Sequence, residues 1–138
     1  MKYLLDTNIC IYVIKQKPAH VLNRFTVERP DSIGISTITV AELQYGVSKS
    51  QRPQQNQAAL EKFLAPLLVV NFDDAAARLA GSLKASLEKQ GTPIGVYDFL
   101  IGAHAVALDT ILVTNNSREF QRIPGLRLEN WVETPSSP

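Results

Sequence analysis

Short apolar runs alternate with longer, helically spaced segments along the whole chain. Lys2-Tyr3-Leu4-Leu5 gives way abruptly to Asp6-Thr7-Asn8, residues that favour turns and helix caps. The pattern predicts a buried strand and then a helix from Ile9 to about Lys15. Pro18 opens a second helix that carries Val21, Leu22 and Phe25 on one face and ends before Pro30. Ile33-Gly34-Ile35-Ser36 predicts a second strand, after which Thr37 or Thr39 caps a helix containing Val40, Glu42, Leu43 and Val47. The polar stretch from Ser48 to Gln57 leads into a helix from about Gln54 to Leu64. Leu67-Leu68-Val69-Val70 is another apolar run. Asp73-Asp74 then starts a long helix with Ala76, Leu79, Ala80, Leu83 and Leu87 at helical spacing, ending at Gly91. Val96 to Leu108 is apolar on almost every side and predicts a central buried helix. Thr110-Ile111-Leu112-Val113 and the stretch from Leu126 to Trp131 predict the remaining strands.

Short apolar strands separated by helices indicate an α/β fold, with a mainly parallel sheet and helices on both faces. No repeat or linker divides the chain, so residues 1–133 are expected to form one domain and 134–138 a disordered C-terminal tail. In such sheets ligands sit beyond the carboxyl ends of the strands. Composition narrows the class further. The 138 residues carry 14 basic and 13 acidic side chains, which excludes a histone-like basic binder and an acidic solvating tail. A single cysteine, Cys10, forbids an internal disulfide and a four-cysteine zinc site. The apolar N-terminal run stops at Asp6, too short for a signal peptide or a membrane span, so a cytoplasmic protein is expected.

Most acids have surface explanations, but three do not. Asp6 comes straight off an apolar strand, Glu42 is embedded in Ile38-Thr39-Val40-Ala41-Glu42-Leu43, and Asp98 shares a helical face with Ile101, Gly102 and Ala105. An ionised carboxylate in an apolar setting is costly unless it is paired or binds a metal. Asp6 is equally readable as a helix cap, Glu42 as the partner of Lys49 or a distant arginine, and Asp98 as a structural acid. If all three meet at the strand ends, their mutual repulsion is relieved by a cation. Oxygen ligands without a nitrogen or sulfur cluster select Mg²⁺, with Mn²⁺ able to substitute. Thr114-Asn115-Asn116-Ser117 is readable as a cap or turn. Its alternative is a site role in which Asn116 or Glu119 completes the metal's surroundings while Thr7, Asn8 and Asn115 orient ligands and water. His20 and His104 are poor general bases, His104 reading as a core histidine, and no glycine-rich phosphate loop is present.

Taken together, Leu4-Leu5-Asp6-Thr7-Asn8, Thr39-Val40-Ala41-Glu42-Leu43, Pro93-Ile94-Gly95-Val96-Tyr97-Asp98 and Val113-Thr114-Asn115-Asn116 resemble the PIN-domain ribonucleases. More narrowly, the chain is similar to VapC-type toxins of bacterial type II toxin–antitoxin pairs, from Met1 to about Trp131. Thr114-Asn115-Asn116-Ser117-Arg118-Glu119-Phe120 matches the segment such toxins carry after their fourth core strand. The resemblance implies a three-layer α/β/α domain in which Asp6, Glu42 and Asp98 hold a divalent metal and, with Asn116 and a supporting Thr114, cut an RNA phosphodiester. It also implies a homodimer, a VapB-type antitoxin covering the groove, and tRNA as substrate, with a leaning to the anticodon region of initiator tRNA. Asn116 stands where many relatives carry a fourth Asp, which weakens the case for a second metal, and Glu119 is a candidate replacement.

Near-neutral charge leaves a local patch to hold RNA. Lys15, Lys17, Lys49, Arg52, Arg118 and Arg122 follow the segments expected around the site, with Lys15, Lys49, Arg52 and Arg118 the leading candidates. Ile11, Ile14, Val21, Leu22, Phe25, Leu43 and Val47 are readable as core or as a groove for an antitoxin segment. Two other readings compete: a catalytically weak or dead binding module of the same fold, and another acidic-site Mg²⁺-dependent phosphohydrolase. A haloacid-dehalogenase-type phosphatase is disfavoured because Asn8 occupies its second aspartate position.

Overall fold

A computed structural model describes residues 1–132; the expected tail at 134–138 lies outside the described residues. The elements run in the order β1 (Tyr3–Leu5), α1 (Thr7–Lys15), α2 (Ala19–Val27), β2 (Ile33–Ser36), α3 (Thr37–Ser48), α4 (Pro53–Leu64), β3 (Leu68–Val70), α5 (Asp74–Lys89), α6 (Val96–Ala107), β4 (Ile111–Val113), α7 (Ser117–Phe120) and β5 (Arg127–Glu129). A single 3-10 turn at Pro30–Ser32 precedes β2.

The strands form one five-stranded sheet in the order β3-β2-β1-β4-β5, and every pairing is parallel. Alternation within each strand divides the core in two. Tyr3, Leu5, Ile33, Ile35 and Val113 face a cluster built with Ile9, Val13, Val21, Leu43, Leu60 and Phe63 from α1 to α4. Leu4 and Leu112 face the opposite cluster, with Leu83, Leu87, Phe99, Ile101 and Phe120 from α5, α6 and α7. The result is the three-layer arrangement expected, with β1 at its centre.

Three local readings change. Ser36, not Thr37 or Thr39, caps α3: its hydroxyl accepts the Ile38 N–H at 3.1 Å. Thr37 instead accepts the Phe72 N–H, and Thr39 is buried. The third strand is an edge strand, so Leu68 and Val69 remain 43% and 48% exposed rather than buried on both faces. In α6 the core starts at Phe99, while Val96 and Tyr97 face solvent.

Candidate active site

β1 and β4 are neighbours, so the polar residues that end them emerge side by side. The Asp6 N–H continues the sheet by donating to the Val113 carbonyl at 3.0 Å, and the Thr114 N–H does the same to Glu129. Asp6 caps α1 and lines the site at once. Its Oδ1 accepts the Ile9 N–H at 2.9 Å, and its Oδ2 accepts the Thr114 hydroxyl at 2.5 Å. The residue is 5% exposed. Burial raises its pKa to about 6, with the Glu42 charge adding to the rise, while the bonds from Thr114 and Ile9 oppose it.

Glu42 reaches the same place from α3. Its Oε1 accepts the Thr7 hydroxyl at 2.6 Å. The alternative partner, Lys49, lies instead over the Tyr45 ring, 4.7 Å from its centroid. Asp98 stands in the first turn of α6 and is half-buried. Its pKa is also raised to about 6, by burial first, then by Glu119 and by the charges of Asp6 and Glu42. Asn116 bridges Asp98 and Glu119, its Nδ2 donating to Glu119 Oε2 at 2.7 Å and to Asp98 Oδ2 at 3.4 Å. The backbone N–H of Asn116 donates to Thr114 Oγ1, so one threonine connects Asn116 to Asp6.

The segment expectations therefore divide. Asp6, Thr7, Glu42, Asp98, Thr114, Asn116 and Glu119 belong to one continuous set of contacts and fields. Asn115 does not: it is exposed and accepts from Asn130 instead. Asn8 is exposed, and its backbone N–H, not its side chain, supports Asp6. Lys15, Lys49, Arg52 and Arg118 are all exposed, and none pairs with a site acid among the described residues. Arg122 is held elsewhere, donating to the Pro93 carbonyl.

Could these residues hold a divalent cation? Among the described residues, no three His, Cys, Asp or Glu side chains stand as a ready-made cage. The acids instead take neutral donors one by one (Thr114, Thr7, Asn116), as expected of like charges that repel. The donor set nonetheless fits a hard cation. Four carboxylates share one field, two of them hold protons unusually tightly, and no basic side chain neutralises any of them among the described residues. Sulfur is not on offer, since Cys10 is buried and its thiol pKa is pushed up, by burial first and then by Asp6 and Glu42.

Beside Glu42 an apolar groove of about 280 Å³ runs between α1, α3 and α4, lined by Ile11, Ile14, Leu43, Val47 and Ala59, with Lys15 at its side. The apolar residues with two readings do not divide cleanly. Ile11, Ile14, Leu43 and Val47 line the groove, yet Leu43 is also buried core and the other three pack against it as Leu22 and Phe25 do, while Val21 is fully buried. The α4 contribution, Asn56, Ala59 and Leu60, was not singled out from the sequence, because the polar start of that helix and its short apolar run carry no mark of a groove.

Residues 3–126 match the family model described as PIN domain. The chain belongs to the PIN-domain family. Among PIN relatives, it is 47% identical over 131 residues to the tRNA(fMet)-specific endonuclease VapC of Shigella flexneri, covering 95% of this chain and 98% of that protein. It is 48% identical over 132 residues to ribonuclease VapC2 of Haemophilus influenzae strain Rd, covering 96% and 99%. The matching chain in the crystal structure of VapBC2 from Rickettsia felis bound to a promoter DNA fragment superposes with a TM-score of 0.89 at 46% identity, over 95% of this chain and 99% of that one. The DNA-bound VapBC of Salmonella typhimurium gives a TM-score of 0.90 at 46% identity, covering 95% and 98%.

Proposed function

We propose that this PIN domain is the toxin of a toxin–antitoxin pair, a Mg²⁺-dependent endoribonuclease that stops translation by hydrolysing tRNA in the cytoplasm. The observation that carries the reading is the group of unneutralised carboxylates, Asp6, Glu42 and Asp98, at the carboxyl end of the central strands. Asp6, Asp98 and Glu42 are assigned as the ligands of Mg²⁺, for which Mn²⁺ substitutes. When bound, the cation acidifies an attacking water and offsets charge on the phosphate oxygens. The chain's own part is to hold the acids at fixed positions. Thr114 orients Asp6, Thr7 orients Glu42, and Asn116 separates Asp98 from Glu119 with an amide that adds no charge. Hydrolysis of this kind does not use the ribose 2′-OH, so the products are a 5′-phosphate and a 3′-OH.

The relatives named as tRNA(fMet)-specific endonucleases support initiator tRNA as the substrate, and those named VapC ribonucleases support RNA cleavage; a cut in the anticodon region is part of the proposal. Lys15, Lys49, Arg52 and Arg118 are assigned to its phosphates, and an unpaired loop is read rather than a duplex. The groove beside Glu42 is assigned to an apolar segment of a VapB-type antitoxin, which would cover the acids in passing. A homodimer is the working assembly. Purified protein incubated with initiator tRNA should cut it in Mg²⁺ and not in EDTA, and Asp6→Ala or Asp98→Ala should lose the cut. Cleavage that persists in either variant, or in EDTA, would reject the site assignment. RNA binding without any cut would favour the catalytically dead module.

A further inference from the structure

The two helices that bring Asp98 and Glu42 to the site are α6 and α3, and they are joined by a buried histidine. His104 is 1% exposed. Its Nδ1 lies 2.8 Å from Ser36 Oγ, and its ring packs edge-on against Phe72 with centroids 5.2 Å apart. Ser36 Oγ accepts the Ile38 N–H that starts α3 and keeps both its own proton and a second lone pair for Nδ1, so either tautomer of a neutral imidazole closes the bond. Burial lowers the His104 pKa, and Asp73 and the Asn71 backbone only partly oppose it. Close by, the Phe72 N–H donates to Thr37 Oγ1 at 3.0 Å. The end of β3, the start of α3 and the middle of α6 therefore meet in one small polar node.

His104 Nε2 is buried without a hydrogen-bond partner among the described residues. Leaving such a group unpaired is costly. A phenylalanine or leucine would fill the space and avoid that cost. What the imidazole supplies here and an apolar ring would not is the bond to Ser36, with a contact to the Asn71 backbone beside it.

We propose that His104 is a positioning residue for the acidic site: its bond to Ser36 locks α6 to the capped start of α3 and so fixes how far Asp98 stands from Glu42. The inference rests on the metal-site reading above. An apolar ring at this position would still fill the core but would leave the two helices free to slide on one another. Mg²⁺ demands near-ideal geometry at about 2.0–2.1 Å from each oxygen, so even a small slide is felt at the carboxylates.

Three substitutions test this in the full chain: His104→Phe, His104→Asn and His104→Gln. The Asn amide can take the place of Nδ1 and bond Ser36 through its oxygen or its NH₂, whereas the Gln amide reaches toward the Nε2 position. Mn²⁺ affinity is read by calorimetry, kcat and KM by tRNA cleavage, and folding by thermal melts. The Phe and Gln variants should lose about tenfold or more in Mn²⁺ affinity and in kcat, with KM little changed and the Phe variant melting no lower than the parent. The Asn variant should stay close to the parent in all three. If the Phe variant does not fold, the contrast between Asn and Gln decides alone. Equal Mn²⁺ affinity in the parent, Phe and Gln proteins would overturn the proposal, as would an Asn variant as impaired as Gln. A parent protein that binds no Mn²⁺ would overturn the metal-site reading, and this inference with it.

Discussion

Asp6 combines two roles that pull on its charge in opposite directions. As a cap it accepts a backbone N–H, which favours the carboxylate; as a buried site acid it is driven toward protonation, and burial wins. A carboxyl whose folded pKa is raised from 3.8 to about 6 contributes most to stability at low pH, and that contribution is lost as pH rises through about 6. Keeping Asp6 ionised at pH 7.5 thus costs roughly 3 kcal/mol before relaxation reduces it. Cation-free protein should therefore melt higher at pH 5.5 than at pH 7.5, and Mn²⁺ at pH 7.5 should restore much of the difference. At pH 7.5, cation-free Asp6→Asn should melt above the parent, while its tRNA cleavage falls about a hundredfold in a gel assay. Asn116 works in the other direction. Asn116→Asp removes the amide that donates to Asp98 and Glu119 and adds a like charge. It should lower cation-free stability by about 1–3 kcal/mol and tighten Mn²⁺ binding, both measurable by melts with and without the ion.

At the scale of elements, helix contacts decide whether those residues meet. α7 carries Glu119 and approaches α6 over Gly102, where an added Cβ would stand 2.4 Å from Ile123 Cδ1 and 3.4 Å from the Phe120 ring. Gly102→Ala gains about 1 kcal/mol of helix propensity but overpacks that contact by about 1–3 kcal/mol. Chemical unfolding should show a net loss on the order of 1 kcal/mol. Cleavage should drop by more than that loss explains, because Glu119 moves with α7. The order and type of the elements were legible from the chain apart from the short helix α7, whose start reads as a cap or turn, since β1 to β4 are short apolar runs stopped by polar residues. Two further features were not. The β3 run, Leu68-Val69-Val70, has the composition of a buried strand, yet it lies at the sheet edge because strand order is a long-range property. Val96 and Tyr97 have core composition too, and only the place where α6 enters the fold leaves them in solvent.

For the whole molecule, a net charge of +1 means that RNA affinity has to come from where the cations lie rather than from how many there are. Exposed Lys15, Lys49, Arg52 and Arg118 are the cations assigned to RNA. Converting one to Ala should weaken tRNA binding and lower the slope of log affinity against log salt by about 1. An affinity indifferent to salt would reject the patch. The groove makes a separate prediction, because its apolar wall is not part of the acid set. Ile14→Asp should abolish capture of a VapB-type antitoxin in a pull-down while leaving Mg²⁺-dependent cleavage within a few-fold of the parent, since Ile14 lines the groove without touching a site acid by hydrogen bond.

The chain by itself determined the alternation of strand and helix, the three out-of-place acids, and the threonine and asparagine after β4, because each is written in residues adjacent to one another. Solvation and period are local quantities, and a carboxylate inside an apolar run is visible wherever it occurs. Tertiary structure alone decided which neutral group each acid takes, that Asn115 turns away while Asn116 turns in, and that Ser36 answers to a histidine on another helix. Those choices depend on the order in which parallel strands pair and on how closely helices pack across the sheet. Residues 6, 42, 98 and 114 become neighbours only once the crossovers between β1, β2 and β4 are closed.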